Sequence, residues 1–210
     1  MAPGPSPITA EVFQNIANVS RETMERLEIY AELLRRRQNV QNLVSRHSLS
    51  DLWGRHMLDS FQLTAHLPRD AGSITDIGAG AGFPGLVLSI VTGLPVTLVE
   101  SRGRKCKFLQ EVINATGAPA TVKNSRVEVF ADESTQNSVD ILTARAVAPL
   151  SKLCGMAESL GARTCLFQKG AQWQGELTEA CKRWKMHVET FESWTSPDAR
   201  ILRITELTRK

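Results

Sequence analysis

The segment Asp76-Ile77-Gly78-Ala79-Gly80-Ala81-Gly82-Phe83-Pro84-Gly85 constrains this chain more than any other. It ends a short apolar run, Ile74 to Ile77, and leads into the apolar stretch Leu86 to Val91, which reads as a helix start. Glycines at Gly78, Gly80 and Gly82 let the backbone enter dihedrals closed to other residues and let a ligand approach the main chain. A strand that turns this tightly into a helix opens a strand-helix-strand unit. Such units commit a chain to a parallel sheet covered by helices on both faces.

The surrounding pattern agrees. After Gly72 the candidate strands are Ser73–Ile77, Val96–Glu100, Ala120–Lys123, Val139–Thr143, Thr164–Phe167, His187–Phe191 and Ile201–Glu206, with helical patterns between the first five. Ser101 is the expected cap of a helix carrying Phe108, Leu109, Val112 and Ile113, with Gly117 at its end, and Ser125 the cap of the next. Leu177, Ala180, Cys181 and Trp184 read as a further helical stripe. The last two strands have no helix between them and are expected to form an antiparallel hairpin at one edge. Ahead of Gly72 the spacing is helical: Ser20 caps a segment to Gln38 with Met24, Leu27, Tyr30, Leu33 and Leu34 on one face. Ser50 is the expected cap of a second helix with Leu52, Trp53, Leu58 and Phe61. The expected organisation is a disordered tip over 1–7, then one domain over 8–210, with a helical extension at 8–72 and an α/β core at 73–210.

A chain of 210 residues with 42% hydrophobic and 22% charged residues suits a single globular domain. No apolar run approaches a membrane span. Pro3, Pro5 and Pro7 in a tip without an apolar stretch argue against a signal peptide. Cys106, Cys154, Cys165 and Cys181 are widely spaced, which argues against a disulfide framework or a metal site and for reduced thiols in a cytoplasmic protein. The net charge of +3 is mild, but basic residues gather at Arg35-Arg36-Arg37, at Arg102, Arg104, Lys105 and Lys107, and at Lys182, Arg183 and Lys185. Singly these are solvated helix faces; together they suit a phosphate-rich partner.

The glycine turn satisfies G-x-G-x-x-G over Gly80 to Gly85, so a dinucleotide site has to be weighed. Glu100 closes the second strand, where a ribose-binding carboxylate belongs for either ligand class. Asp76 lies two residues before the first glycine, where a pyrophosphate would meet negative charge, and Pro84 removes an N–H donor. Both features fit S-adenosylmethionine (AdoMet) better, since its amino group suits a carboxylate. A dinucleotide site and a purely structural turn remain open at this point. Ser125-Arg126-Val127-Glu128 follows the third strand, where it is placed to clamp an adenine. Arg145, at the end of the fourth strand, suits a carboxylate or phosphate, or a structural ion pair.

These residues and several others resemble the bacterial 16S rRNA guanine-N7 methyltransferases, the glucose-inhibited division protein B family. The matching stretches are Asn42-Leu43, Arg55-His56-Met57-Leu58-Asp59-Ser60, Asp76 to Gly85, Val99-Glu100-Ser101, Lys105-Cys106-Lys107-Phe108-Leu109, Arg126-Val127-Glu128, Thr143-Ala144-Arg145-Ala146 and Lys169-Gly170. The resemblance implies a Rossmann-like class I AdoMet-dependent methyltransferase, with a seven-stranded, mostly parallel sheet, one antiparallel edge strand and an N-terminal helical extension. It implies methylation of a guanine N7, guanine 527 in the 530 loop, with 16S rRNA or the assembling small subunit as partner. It also implies that Gly78, Phe83, Val127, Glu128 and Arg145 line the AdoMet site, to which the reading of the turn and strand ends adds Asp76, Gly80, Gly82 and Glu100. Asn42, Arg46, Lys169 and Arg200 would face the substrate. Val44 departs from the threonine common after Asn-Leu, and Ser45 is the nearest hydroxyl.

Guanine N7 carries a lone pair and no proton, so the reaction needs no general base. The chain accordingly has no Asn/Asp-Pro-Pro-aromatic motif after the fourth strand and no cysteine beside Ala148-Pro149. Lys169 is the candidate reader of guanine O6. Arg46, Arg55 and the cluster from Arg102 to Lys107 would meet RNA. Trp53, Trp173 or Phe83 would stack a splayed base, or serve as core. His47 and His56 read as hydrogen-bonding residues. The expected enzyme is a monomer that uses neither a metal nor a membrane. The competing readings are a nicotinamide-dependent oxidoreductase and an RNA-binding assembly module that keeps AdoMet as a structural ligand.

Overall fold

A computed structural model describes residues 7–133 and 138–210, so the expected tip, Pro7 apart, lies outside the described residues. Seven strands share one sheet: β1 (Ile74–Ile77), β2 (Val96–Glu100), β3 (Ala120–Asn124), β4 (Ile141–Arg145), β5 (Thr164–Lys169), β6 (Trp184–Glu192) and β7 (Arg200–Arg209). Their order is β3-β2-β1-β4-β5-β7-β6. The first five pair in parallel, while β7 runs antiparallel to both β5 and β6. The reversed strand therefore stands one place in from the edge, and β6 and β7 form the expected hairpin. β4 lies two residues later than the spacing suggests, which makes Arg145 its last residue.

The helices are α1 (Ala10–Ala17), α2 (Arg21–Gln41), α3 (Arg46–Leu49), α4 (Asp59–Phe61), α5 (Gly85–Thr92), α6 (Gly103–Thr116), α7 (Val127–Glu133), α8 (Leu150–Ser159) and α9 (Trp173–Cys181). A π-helical segment spans Trp53–Leu58 and a 3-10 segment Gln62–His66. Side chains alternate along the strands and divide the core in two. Ile74, Leu98, Ile141, Leu166 and Ile201 face one cluster with α1, α2, α5 and α6. Ile77, Val99, Leu142, Phe167 and Leu202 face the other, with α8 and Ala180 of α9. The helical extension is thus part of the first core. Arg26 of α2 donates to the carbonyls of Thr116 and Gly117 at the end of α6, at 2.6 and 2.9 Å, and Arg37 forks onto Glu111 at 2.9 Å.

Several local expectations change. Ser20 caps α2 through the Thr23 N–H, and Gly117 ends α6 at φ 62°. Ser101 does not cap α6, whose N-cap position is Arg102. Ser50 donates to the His47 carbonyl, and Asp51 instead accepts the N–H groups of Gly54 and Ile8. The Ser125 hydroxyl donates to the Arg126 carbonyl. The stripe read through Trp184 is cut at Cys181: Trp184 opens β6, and its indole N–H donates to the Ser151 carbonyl at 3.2 Å. Among the described residues, no helix is long and apolar enough to cross a membrane.

Candidate active site

Strand order reverses between β1 and β4, and in an open parallel sheet the crevice at such a switch point is where ligands bind. The glycine turn leaves β1 there. The N–H groups of Gly78 and Ala79 both donate to the Val99 carbonyl, at 2.8 and 3.1 Å, and Gly82 N–H returns to the Ala79 carbonyl at 2.7 Å. Gly78 has φ +66°, and a Cβ there would sit 2.6 Å from Val147 Cγ2. At Gly82 (φ +99°) a Cβ would meet Leu86 Cδ1 at 2.5 Å and the Tyr30 hydroxyl at 2.7 Å. Glycine is required at both for conformation and for space. Gly80 is different: a Cβ would find nothing nearer than 3.7 Å, so its outer side is open. Its N–H donates to Glu100 Oε2 at 2.9 Å, while Oε1 accepts the Arg102 N–H at 2.8 Å. The Glu100 carboxylate is therefore fixed at the end of β2 with lone pairs to spare for a pair of hydroxyls.

Asp76 needs correction. The sequence offers its carboxylate to a ligand's amino group, but the side chain lies beneath the turn and is fully buried. Its Oδ2 accepts the Gly85 N–H at 3.1 Å and its Oδ1 the Thr143 hydroxyl at 2.9 Å, Thr143 being its register partner on β4. Alternation turns Asp76 to the same sheet face as Ile74, where α5 packs. Burial pushes its carboxyl up to about 7, opposed by those two hydrogen bonds and by the Arg145 charge. Asp76 braces the loop from below.

From the other side the loop is held by the helical extension. The buried Tyr30 hydroxyl donates to the Ala81 carbonyl, and its ring stacks on Phe83 at 5.1 Å. His56 also stacks on Phe83, at 4.7 Å, and the Arg145 guanidinium lies 5.2 Å from the same ring centroid. Phe83 is 4% exposed, so it is not the base-stacking residue that the sequence suggested. Arg145 forms an ion pair with Asp59 at 3.1 Å and donates to the Arg55 carbonyl at 3.1 Å and to His56 Nδ1 at 2.8 Å. A guanidinium only donates, so Nδ1 accepts and the imidazole proton sits on Nε2, which has no partner. Burial, then the charges of Arg145 and Arg55, push His56 down to about 3. The π-helical segment presents these groups: the Asp59 N–H reaches back to Gly54, and the widened turn leaves the Arg55 carbonyl to Arg145.

Asp59 is a hub that sequence reading quoted as part of a motif without a role. Its Oδ1 accepts from Gln62 at 2.9 Å and Thr195 at 2.7 Å, and its carbonyl accepts from Gln168 at 2.7 Å. It ties the extension to β4, β5 and the β6–β7 loop around a cleft of about 540 Å³ lined by Arg55, His56, Arg145, Lys169, Thr195 and Arg200, among others. Lys169 is 9% exposed, pairs with Glu176 at 2.6 Å and donates to the Ala148 carbonyl at 3.0 Å. Two of its three N–H groups thus secure the starts of α8 and α9. Arg200 donates to the carbonyls of Pro197 and Ala199, both at 2.7 Å, and lies over Trp173 at 5.7 Å. Asn42 and Arg46 are exposed but do not line this cleft. Asn42 adopts φ +46° to end α2, and Arg46 opens α3, which Ser45 caps. Val127 and Glu128 start α7, and their side chains line a separate groove of about 680 Å³ with Ser151, Met156 and Trp184. Trp53 is 6% exposed and packs on Phe13 at 5.3 Å, so it is core. Among the described residues, no group of three or more His, Cys, Asp or Glu side chains is placed to hold a metal ion.

A seven-stranded sheet of this order, with β7 reversed beside β5 and a glycine turn at the switch point, is the Rossmann-like fold of class I AdoMet-dependent methyltransferases, and the family matches below separate it from a dinucleotide site. The fibrillarin/Nop5p complex shares the fold with a TM-score of 0.55 and 15% identity, over 72% of this chain and 81% of that one. A MtNAS mutant in complex with S-adenosylmethionine does so with a TM-score of 0.57 and 15% identity, over 94% and 84%. The family model described as rRNA small subunit methyltransferase G matches residues 23–202. Proteins of that name from Parvibaculum lavamentivorans and Rhodospirillum centenum are each 45% identical, over 97% and 98% of this chain and 92% and 94% of theirs. The chain belongs to the rRNA small subunit methyltransferase G family.

Proposed function

We infer that this protein transfers a methyl group from AdoMet to N7 of a guanine in the 530 loop of 16S rRNA, guanine 527. The observation that carries this reading is the juxtaposition at one switch point of an open glycine turn with an anchored Glu100 and a cleft of arginines and lysine, in a chain of this family. The residues fit the cofactor: Gly80 leaves room and Glu100 suits ribose hydroxyls, while the adenine end would meet the backbone at the start of α7, since the Val127 and Glu128 side chains line the separate groove. AdoMet supplies the sulfonium methyl.

The side chains at the cleft have no proton to remove from guanine N7, and their state agrees with that. His56 is held neutral with Nδ1 occupied, Asp59 is paired, and Asp76 is sealed beneath the loop. What these residues do is position. Gly78, Gly82 and Phe83, braced by Tyr30, Asp76 and Thr143, set the wall behind the methyl-bearing end, and Arg145 joins that wall to the substrate cleft. In-line positioning of this kind supplies up to about 7–11 kcal/mol of barrier reduction. Lys169 and Arg200 line the cleft for the base and its phosphates, and Asn42 and Arg46 extend the surface outward. The protein acts as a cytoplasmic monomer without a metal, as one domain over 8–210. In-vitro methylation of unmodified small subunits and of naked 16S RNA, with the modified atom mapped, tests the reading. A methyl group on any atom other than guanine N7 refutes it.

A further inference from the structure

Trp194 is the residue that neither the sequence pattern nor the cofactor site accounts for. Its side chain is 52% exposed, whereas Trp53 and Trp184 are 6% and 8% exposed, and Trp173 is partly covered and lies beneath Arg200. The other large apolar side chains that stand out among the described residues are aliphatic: Val12, Ile16, Ile29, Val40 and Val129. An exposed indole loses favourable burial, so its position needs a reason. It sits on the loop between β6 and β7, where Ser193, Thr195 and Ser196 on either side of it line the 540 Å³ cleft, while the Trp194 ring lies against Phe61 just outside that lining.

The loop under it is rigid by construction. The Trp194 N–H donates to Gln62 Oε1 at 2.7 Å, the Thr195 hydroxyl to Asp59 Oδ1 at 2.7 Å, and the Thr195 N–H to the Ser193 hydroxyl at 3.3 Å. Phe61 supports the ring at 6.3 Å, tilted by 52°. The same Asp59 carboxylate pairs with Arg145. The ring is therefore pre-positioned from the group that organises the cleft, which lowers the ordering cost of using it. The lining is net cationic: the acids Asp59 and Glu176 neutralise Arg145 and Lys169, and Arg55 and Arg200 carry the positive charge that remains. A fixed aromatic face next to cations is the arrangement that takes single-stranded nucleic acid, with a base on the ring and phosphate on the charges.

We propose that Trp194 is a stacking platform for an unpaired base of the RNA substrate, at the rim of the cleft that contains Arg145, Lys169 and Arg200. The inference rests on the RNA methyltransferase reading above. The platform grips a nucleotide beside the target and so sets how the RNA enters, while taking no part in methyl transfer itself.

The test uses the full chain with Trp194→Phe, Trp194→Leu and Trp194→Ala variants, assayed on unmodified small subunits and on naked 16S RNA. The Leu and Ala variants should raise KM for RNA about 5- to 100-fold. Both should leave kcat and the KM for AdoMet within about two-fold, and Phe, which keeps a π-face, should stay within about three-fold of wild type on every constant. Tryptophan emission of the wild-type protein, saturated with S-adenosylhomocysteine, should be quenched as naked RNA is added, and the Trp194→Phe variant should lose that quenching. An unchanged KM in the Leu and Ala variants overturns the platform, as does quenching that survives in Trp194→Phe. A KM effect confined to assembled subunits, with no quenching by naked RNA, also overturns it and assigns the indole to a ribosomal protein. A wild-type protein that methylates neither substrate overturns the functional reading instead.

Discussion

Replacing Tyr30 with phenylalanine removes one oxygen from the helical extension and should be felt at the glycine turn, 51 residues away in sequence. The ring is fully buried, its hydroxyl donates to the Ala81 carbonyl, and its face stacks on Phe83 at 5.1 Å. Phenylalanine keeps the stacking and the volume but leaves that carbonyl without its donor. A buried polar group stripped of its partner costs about 1–3 kcal/mol. For a chain of this size each kcal/mol moves Tm by about 2–4 °C, so a fall of about 2–12 °C is expected. The Ala81 carbonyl belongs to the turn whose Gly80 N–H holds Glu100, so the dissociation constant for AdoMet should rise by about 3- to 10-fold, the equivalent of ~1 kcal/mol. Thermal melts and titration calorimetry read the two effects separately. Tyr30 is also the single tyrosine of the chain, and burial holds its hydroxyl well above the ordinary value near 10. The folded state thus keeps a proton that the unfolded chain releases, and stability falls as pH rises past 10. Tyrosinate absorbance should appear only as the protein unfolds. If Tyr30→Phe leaves both Tm and AdoMet affinity unchanged, the claim that α2 holds the turn is wrong.

Other substitutions probe the remaining braces. Gly78→Ala places a Cβ 2.6 Å from Val147 Cγ2 at φ +66°, so a left-handed penalty of about 1–2 kcal/mol adds to the clash, and calorimetry should find AdoMet affinity reduced more than tenfold. Arg145→Ala should abolish methylation, and Arg145→Lys should not restore it, because an ammonium cannot span Asp59, the Arg55 carbonyl and His56 Nδ1 together; rescue by lysine would refute the fork. Two buried groups oppose each other in their pH dependence. Asp76, raised from 3.8 to about 7, makes stability fall as pH rises through that window, by up to about 4 kcal/mol. His56, lowered from 6.5 to about 3, makes stability present above 6.5 and lost as pH falls toward 3. Between pH 4 and 6.5 the two largely cancel in the wild type. In Asp76→Asn the His56 dependence is no longer opposed by Asp76, so the urea midpoint should climb with pH across that range more steeply than in the wild type. A slope equal to that of the wild type would show that Asp76 does not titrate there.

Much of the architecture was legible because its signals are local. The run from Ile74 to Val91 announced a strand, a turn and a helix, β2 was read where it stands, and the hairpin of the last two strands was found with both strands too short. Alternation found strands, and glycine found Gly78, Gly82 and Gly117, where positive φ is required. Errors fell where a side chain's use depends on what packs above it. Asp76 looked like a ligand-facing acid because sequence shows its neighbours along the chain, not Thr143, 67 residues away, that claims its oxygen. Lys169 looked like an unpaired cation, and its partner Glu176 on the next helix is not revealed by its chain neighbours. The Trp184 stripe failed because an apolar residue at helical spacing is equally well buried as the first residue of an edge strand.

Residue types and their order determined that this chain would form a parallel sheet with a glycine turn at a strand end, and the motifs along it determined the family. Those properties follow from backbone sterics and from periodicities of two and 3.6, which act over a few residues. Tertiary structure alone decided which groups line the cleft and which hold the glycine turn from behind. Tyr30, Asp76, Asp59 and Arg145 come from segments that meet only after the sheet has formed and the extension has packed on it. Their hydrogen bonds span 51 to 136 residues of sequence. Bonds of that reach leave no periodic trace in the chain, because the spacing between partners is set by the connections that happen to lie between them.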